Sequence, residues 1–452
     1  MGRSFSGARP AGHATRRELL HAGGLGTLSF SCGWPSGLQA GEAGPNRFGQ
    51  ARSVIILSLY GGPPQQDTFD PKPEAPDTIR GEFDPIDTSV PGTRICEHLP
   101  RLAQLAHQYA IVRSVAHPDA RHYEALYTCL TGWPFPRQRS ADGSTDPSDA
   151  PHLAAVMGLV KPPTLPVPPF VVVGGNHING IGQNGGFLGS GHNPLIIEKS
   201  ANAPDFRVPP GMTLTKERSV DRVSGRSQLL HQIENLTRKL EGDAAAAGFS
   251  ALQNRALKML TRSPVPAAFD MESEPVEVRD RYGRFPVGQN LLLARRLAEA
   301  GVPVIHVSYD PAAGWDSHSN NFSGLKSRQL PSLDQSVSAL LEDLQQRGSL
   351  DQTMVIVWGE FGRTPIINKK AGRDHWPYCY SALLAGGGVQ GGVVYGASDK
   401  HAAYPASNPV GPWDVGATML HCAGIDPRSE VLHPQQNRNL PISRGKPILP
   451  LL

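Results

Sequence analysis

The residues best suited to chemistry cluster in one stretch, Thr353 to Pro377, TMVIVWGEFGRTPIINKKAGRDHWP. Its apolar, β-branched opening, Met354 to Trp358, has the length and composition of a buried strand. It breaks into Gly359-Glu360-Phe361-Gly362-Arg363, and Arg373-Asp374-His375 follows shortly after. Asp316-Ser317-His318 stands in the same relation to the apolar run Val302 to Tyr309, and Asp67 follows the run Ser53 to Leu59. Carboxylates and imidazoles in this mixture suit a divalent ion such as Zn, Mn or Mg better than thiolate chemistry would. The expected ligands are Asp67, Asp316, His318, Glu360, Asp374 and His375, holding one ion or two. Two ions about 3.5–4 Å apart would clamp the attacking and leaving oxygens of a phosphoryl or sulfuryl group. Arg121, Arg363 and Arg373 lie beside these positions and are placed to bind an anion's oxygens bidentately. Each residue also has a plain structural reading. An Asp-x-His is a common loop pair, Glu360 can cap backbone or pair with Arg363, and Asp374 can orient Arg373. Asp70 reads as the start of an Asp-Pro turn and His117 as part of a His-Pro turn.

The elements that must hold these residues follow from periodicity. Strands are expected over Ser53 to Leu59, Tyr109 to Arg113, Pro169 to Gly174, Val302 to Tyr309, Met354 to Trp358, Tyr380 to Ala385 and Val389 to Tyr395. Helices are expected over Leu99 to His107, from His122 to the stop at Gly132, over Gly288 to Ala300, over Ser332 to Gln346 and over Pro412 to Cys422. Leu333, Val337, Leu340, Leu341 and Leu344 make a one-sided stripe suited to packing on a sheet. This alternation predicts a mostly parallel sheet with helices on both faces. Strand ends in such sheets carry ligands, and His122, in the first turn of its helix, faces them. From about 135 to 285 the rhythm lapses into Ser/Gly/Pro clusters. That region reads as an inserted cap with helices near Gln228 to Leu240 and Ala244 to Leu260. His177 and Asn184 in its Gly/Asn-rich loop are candidate substrate contacts. Gly386-Gly387-Gly388-Val389-Gln390-Gly391 matches G-x-G-x-x-G formally, but a β-type run follows where a dinucleotide site needs a helix; a tight hairpin is expected.

The chain has 452 residues, 49 Gly and 42 Pro, with a formal charge of +3. Length allows one large core or two ordinary ones, and the Gly and Pro content points to structured loops. No basic block asks for nucleic acid. Residues 1–40 differ from the rest: Arg16-Arg17 precedes a weakly apolar, Gly-rich run, and Leu38-Gln39-Ala40 fits a small-residue cleavage site. Residues 1–40 thus read as a twin-arginine export signal, with the twin-arginine machinery as partner and a periplasmic or extracellular address. An ordinary basic N-terminus is the alternative. No stretch reaches the roughly 18 apolar residues of a membrane span. Of five cysteines, at 32, 96, 129, 379 and 422, none forms a C-x-x-C pair. They read as buried thiols or, in an oxidising compartment, as two disulfides.

GGPPQQDTFDPKP, YEALYTCLTG, GWDSHSNNF, WGEFGRTP, GRDHWP and AGGGVQGGVVYGASD together resemble an uncharacterised bacterial domain-of-unknown-function family grouped with the sulfatase and alkaline-phosphatase-like superfamily. The resemblance spans nearly the whole chain. It implies an alkaline-phosphatase-like three-layer α/β sandwich with a metal-dependent site for phosphate or sulfate esters, on small molecules or polysaccharides. The motifs also depart from the superfamily's pattern. Gly61-Gly62 stands where its enzymes place an Asp, and Glu360-Phe361 replaces Asp-His. Laying Leu130-Thr131-Gly132 on the sulfatase Leu-Thr-Gly run puts His122 at the nucleophile's position, so formylglycine chemistry is not available there. Catalysis would then rest on a metal-bound water or on His122 itself, with Arg121 and Arg363 at the anion. The alternative is a catalytically silent relative that binds a ligand or a cell-surface partner; a phosphate-transfer isomerase is a more distant third.

Overall fold

The computed structural model describes residues 47–136, 145–175, 180–209, 212, 255–309 and 314–452. The expected export signal, His177 and the first of the two cap helices lie outside them, as does most of the second. Eight strands build the central sheet: β1 (Ser53–Ser58), β2 (Tyr109–Val115), β3 (Phe170–Val173), β4 (Leu195–Ile197), β5 (Val304–Ser308), β6 (Thr353–Trp358), β7 (Tyr380–Ala385) and β8 (Val394–Tyr395). Their order is β8-β2-β7-β6-β1-β5-β3-β4. Only β7 runs against its neighbours, β2 and β6; the remaining pairs are parallel. Among the described residues, the longer helices covering the sheet include α1 (His122–Thr131), α2 (Leu153–Val160), α3 (Pro286–Glu299), α4 (Leu330–Gln346) and α5 (Pro412–Cys422).

Two hydrophobic cores result, because a strand's side chains alternate between faces. On β1, Ile55 and Leu57 join Leu291 and Leu292 of α3 and the Leu333, Val337, Leu340, Leu341 and Leu344 stripe of α4. Val54 and Ile56 point the other way, against Leu153 and Met157 of α2 and Val415 and Met419 of α5. Strands buried on both sides read as continuous apolar runs, which is why β1 and β6 stand out in the sequence. The molecule is a three-layer α/β sandwich with a mostly parallel sheet.

Three expectations change in detail. Strands β3 and β4 lie within residues 135–285 but extend the central sheet, so that region is in part sheet edge rather than cap. The glycine run after β7 does not close a hairpin. β8 pairs with β2 instead, and its pairing begins only at Val394. The four cysteines described, Cys96, Cys129, Cys379 and Cys422, are free and buried; burial raises the Cys96, Cys379 and Cys422 thiols to about 12. No helix among the described residues is long and apolar enough to cross a membrane.

Candidate metal centre

The parallel strands bring β1, β2, β5 and β6 out at one end of the sheet, and the loops beyond them carry the polar clusters. β6 ends at Trp358, leaving Glu360 just past the sheet. The chain then makes a two-stranded ribbon, in which Arg363 pairs with His375 and Gly362 with Trp376, before re-entering as β7. Past β5 comes Asp316, and past β2 comes α1 with His122 at its first position. The close approach depends on glycine. A Cβ on Gly61 would lie 2.3 Å from the Asp316 backbone nitrogen, and one on Gly372 2.1 Å from the His318 carbonyl.

Three imidazoles surround the Asp316 carboxylate. His122 Nε2 lies 3.4 Å from Oδ2, while His318 Nε2 and His375 Nε2 lie 3.0 and 3.1 Å from Oδ1. One ligand atom each from His122, Asp316 and His375 lies within 4.8 Å of the others. His318 Nε2 is 3.0 Å from His375 Nε2. The far nitrogen of each ring is tied to an oxygen that fixes its tautomer. His122 Nδ1 donates to Glu360 Oε1 (2.6 Å), His318 Nδ1 to Asp374 Oδ1 (2.6 Å) and His375 Nδ1 to the Ala120 carbonyl (2.8 Å). Oxygen-anchored imidazoles with their second nitrogens converging are the usual support of a histidine-bound metal. Two nitrogens on one tetrahedral zinc at about 2.0–2.1 Å would be separated by about 3.3 Å, close to the His318–His375 spacing. The donor set of nitrogens and one carboxylate fits a borderline ion such as Zn better than Mg, which prefers oxygen.

Electrostatics agree with this geometry. Burial alone would push the His122 imidazole down, but hydrogen bonds to Asp316 and Glu360 raise it to about 9. Burial would likewise raise Asp316, yet His122, His375 and Arg363 hold its carboxyl far below the usual carboxylate range. Burial, with Glu360 and Asp316 nearby, keeps the Tyr60 phenol neutral, its ring 4.9 Å from that of His122.

Asp316, His318 and His375, expected as ligands, lie together, and His122 lies with them. Glu360 and Asp374, expected as ligands, stand one step back and orient imidazoles. Glu360 is fully engaged, also accepting from the Gly61 N–H at 3.0 and 3.2 Å. Asp67 is not at the centre: both its oxygens take the Arg373 guanidinium (2.8 and 3.1 Å), and Asn321 donates to one. Arg373 spends its remaining donors on the Thr364, Pro365 and Ile79 carbonyls, so it pins a loop and is not open to a substrate anion. Arg363 is likewise buried, on the Gly61, Gly62 and Arg373 carbonyls and on Asp316. Arg121, expected at the anion, is 74% exposed and ion-pairs with Glu124. Asn184 accepts from the Gly186 N–H and shapes its own turn. His117, read as a turn residue, does more than turn the chain. Buried, it donates to the Glu360 carbonyl (2.6 Å) and steadies the loop. Sequence reasoning gave no place to Asn321, which also accepts from Ser317 (2.5 Å); its neighbour Asn320 offered no distinguishing signal.

Fold and site together define a three-layer α/β protein with a candidate histidine-rich metal centre at its strand ends. The chain belongs to the family described as "Protein of unknown function (DUF1501)", matched over residues 51–452. No curated protein matches it. Solved structures show remote likeness. The lipoteichoic acid synthase LtaP from Listeria monocytogenes aligns at 10% identity, TM-score 0.41, over 90% of this chain and 78% of its own. The alkaline phosphatase of the Antarctic bacterium TAB5 aligns at 12% identity, TM-score 0.38, over 84% and 99%. Ps i-CgsB, solved with k-i-k-neocarrahexaose, aligns at 11% identity, TM-score 0.42, over 88% and 75%.

Proposed function

We propose that this protein is an exported, metal-dependent hydrolase of phosphate or sulfate esters, with one divalent ion held by His122, Asp316, His318 and His375. The observation that carries this reading is the convergence of three Nε2 atoms on one carboxylate, each ring tied at Nδ1. The donors suit a single ion, because Asp67, Glu360 and Asp374 point their oxygens elsewhere. A bound divalent ion would polarise an ester oxygen and lower the pKa of a water. This chain's residues do the rest. Glu360 and Asp374 keep their imidazoles in the tautomer that presents Nε2, while Arg363 and the Gly61 amide hold Asp316 and Glu360 in place. With His122 a donor to the ion, it no longer serves as nucleophile, and attack by water is the route left. The export reading rests on Arg16-Arg17 and the run that follows.

Elemental analysis of the purified protein, followed by a panel of aryl and sugar phosphate and sulfate esters with and without chelator, tests the reading. One tightly held ion per chain and chelator-sensitive turnover are expected. Absence of both, with a melting temperature indifferent to chelator, would establish the second reading, a catalytically silent binding protein. The Arg363 guanidinium, already against Asp316 Oδ1, is the feature favouring that alternative.

A further inference from the structure

Beside the metal centre stands a group of three aromatic rings with no part in it. Trp376 follows His375 directly, and its indole N–H donates to the Ala403 carbonyl (2.6 Å). Tyr378 packs on Trp376 with centroids 5.0 Å apart and planes at 79°. Tyr404 packs on both, at 5.6 Å from Trp376 and 5.9 Å from Tyr378, with the two tyrosine planes at 36°. Tyr378 and Tyr404 are 41% and 52% exposed, an unusual place for large rings held so firmly. The mount is rigid. The Asp399–Tyr404 loop closes through Asp399 N–H to the Tyr404 carbonyl. Asp399 Oδ1 also accepts from His401 and Ala403, and Ala402, buried at φ 54°, is fixed by a Gln65 bond to its carbonyl. Tyr378 is three residues from His375, so their Cα atoms lie within about 11 Å.

Trp376 meets both tyrosines edge to face, and the tyrosines meet each other at a tilt, so the rings pack on one another and what they offer is their outward surface. An aromatic face is electron-rich and apolar. The complementary partner is a flat apolar face edged with polar groups, which is what the C–H side of a pyranose ring presents. The tyrosine hydroxyls at the rim donate and accept hydrogen bonds, as sugar hydroxyls require. Exposed lysines add a charge preference. Lys400 sits in the Tyr404 loop, and Lys369 and Lys370 sit in the turn whose Asn368 bonds the His318 carbonyl. None of the three forms an ion pair with another described residue.

We propose that Tyr378 and Tyr404 form a stacking platform for a sugar ring of an anionic carbohydrate chain, delivering its ester group to the adjacent centre. This names the substrate class of the hydrolase proposed above, and rests on that reading for the delivery but not for the binding.

The test is a binding titration of the full-length protein, with and without chelator, using dextran sulfate, unsulfated dextran and polyphosphate as probes. Wild type is compared with a Tyr378→Ala/Tyr404→Ala double variant and its Phe/Phe counterpart, with melting temperatures confirming that all fold. Dextran sulfate should bind more tightly than dextran. The Ala pair should lose about tenfold in affinity for it, the Phe pair little, and polyphosphate binding should be the same in all three. Equal dextran sulfate affinity in wild type and the Ala pair would overturn the platform. So would an equal loss toward polyphosphate, or a self-association that the Ala pair abolishes, which would make the rings a contact between copies. Absence of metal and turnover, with the binding pattern intact, would remove the hydrolase reading alone.

Discussion

Two clusters of charged side chains among the described residues differ in what surrounds each carboxylate. Behind the sheet, between α3 and α4, Arg295 is buried against Glu274 (2.8 Å), Glu299 (2.6 Å) and Asp343 (3.1 Å), with Arg347 adding a 2.8 Å bond to Asp343. Every acid there meets a guanidinium, a permanent cation that no metal displaces. At the strand ends, Asp316 meets one guanidinium, Arg363, but also three imidazoles, whose nitrogens can serve as metal ligands. A cavity of about 510 Å³ near the first cluster, lined by Lys161, Arg295 and Glu299, has the size of a ligand site. Two of its inner charges are paired within the protein: Arg295 pairs with Glu299, and Lys161 donates to the Ala423 carbonyl at the end of α5. Charge density alone does not distinguish the two clusters; the convergence of imidazole nitrogens on one carboxylate does.

Substitutions separate the two clusters. Arg295→Ala strands buried carboxylates and should cost about 3–5 kcal/mol in a urea titration, with metal content per folded molecule unchanged. His375→Ala should do the reverse, weakening zinc binding by more than about 100-fold in a chelator competition while the metal-free protein melts within a few degrees of wild type. Glu360→Gln leaves the donors intact but alters what orients His122, so a loss of about 10–100-fold in zinc affinity is expected.

The smallest effect is on pH dependence, where two histidines, one buried and one half-buried, move oppositely. His152, at the start of α2, has no carboxylate partner among the described residues, and burial lowers it to about 3. Its folded pKa is below the unfolded value, so its contribution to stability is present above about pH 6.5 and lost as pH falls toward 3. His122, raised to about 9, contributes fully below about pH 6.5 and loses that contribution as pH rises through 9. In metal-free protein, His122→Gln should flatten the alkaline limb of the urea midpoint by on the order of 1 kcal/mol and leave the acid limb unchanged. If both limbs moved together, the contrast between the two environments would fail.

The sheet was legible because β1 and β6 carry unbroken apolar runs, Val54 to Leu57 and Met354 to Trp358, and the α4 stripe announced its buried face. Pro169 to Gly174 was read as a strand and holds β3, but the short β4 was masked, and the Gly/Pro-rich sequence around both gave a cap reading to what is partly sheet edge. At the site, residue types were readable and ranks were not. Glu360 and Asp374 look like ligands in sequence, yet whether a carboxylate touches an ion or an imidazole is decided by contacts with residues 238 and 56 positions away. Asp67 and Arg373 illustrate this most sharply: 306 positions separate them, and nothing in either motif tells that each satisfies the other.

The reversed direction of β7 has one more consequence. Because it runs antiparallel to β6 beside it, the chain leaves the sheet at Trp358 and returns at Tyr380 on the same edge. Everything between, including Glu360, Arg363, His375 and the ring-bearing turn, forms a cartridge clipped in at adjacent ports. Evolution can rewrite such a cassette, or a designer exchange it, without re-threading the scaffold.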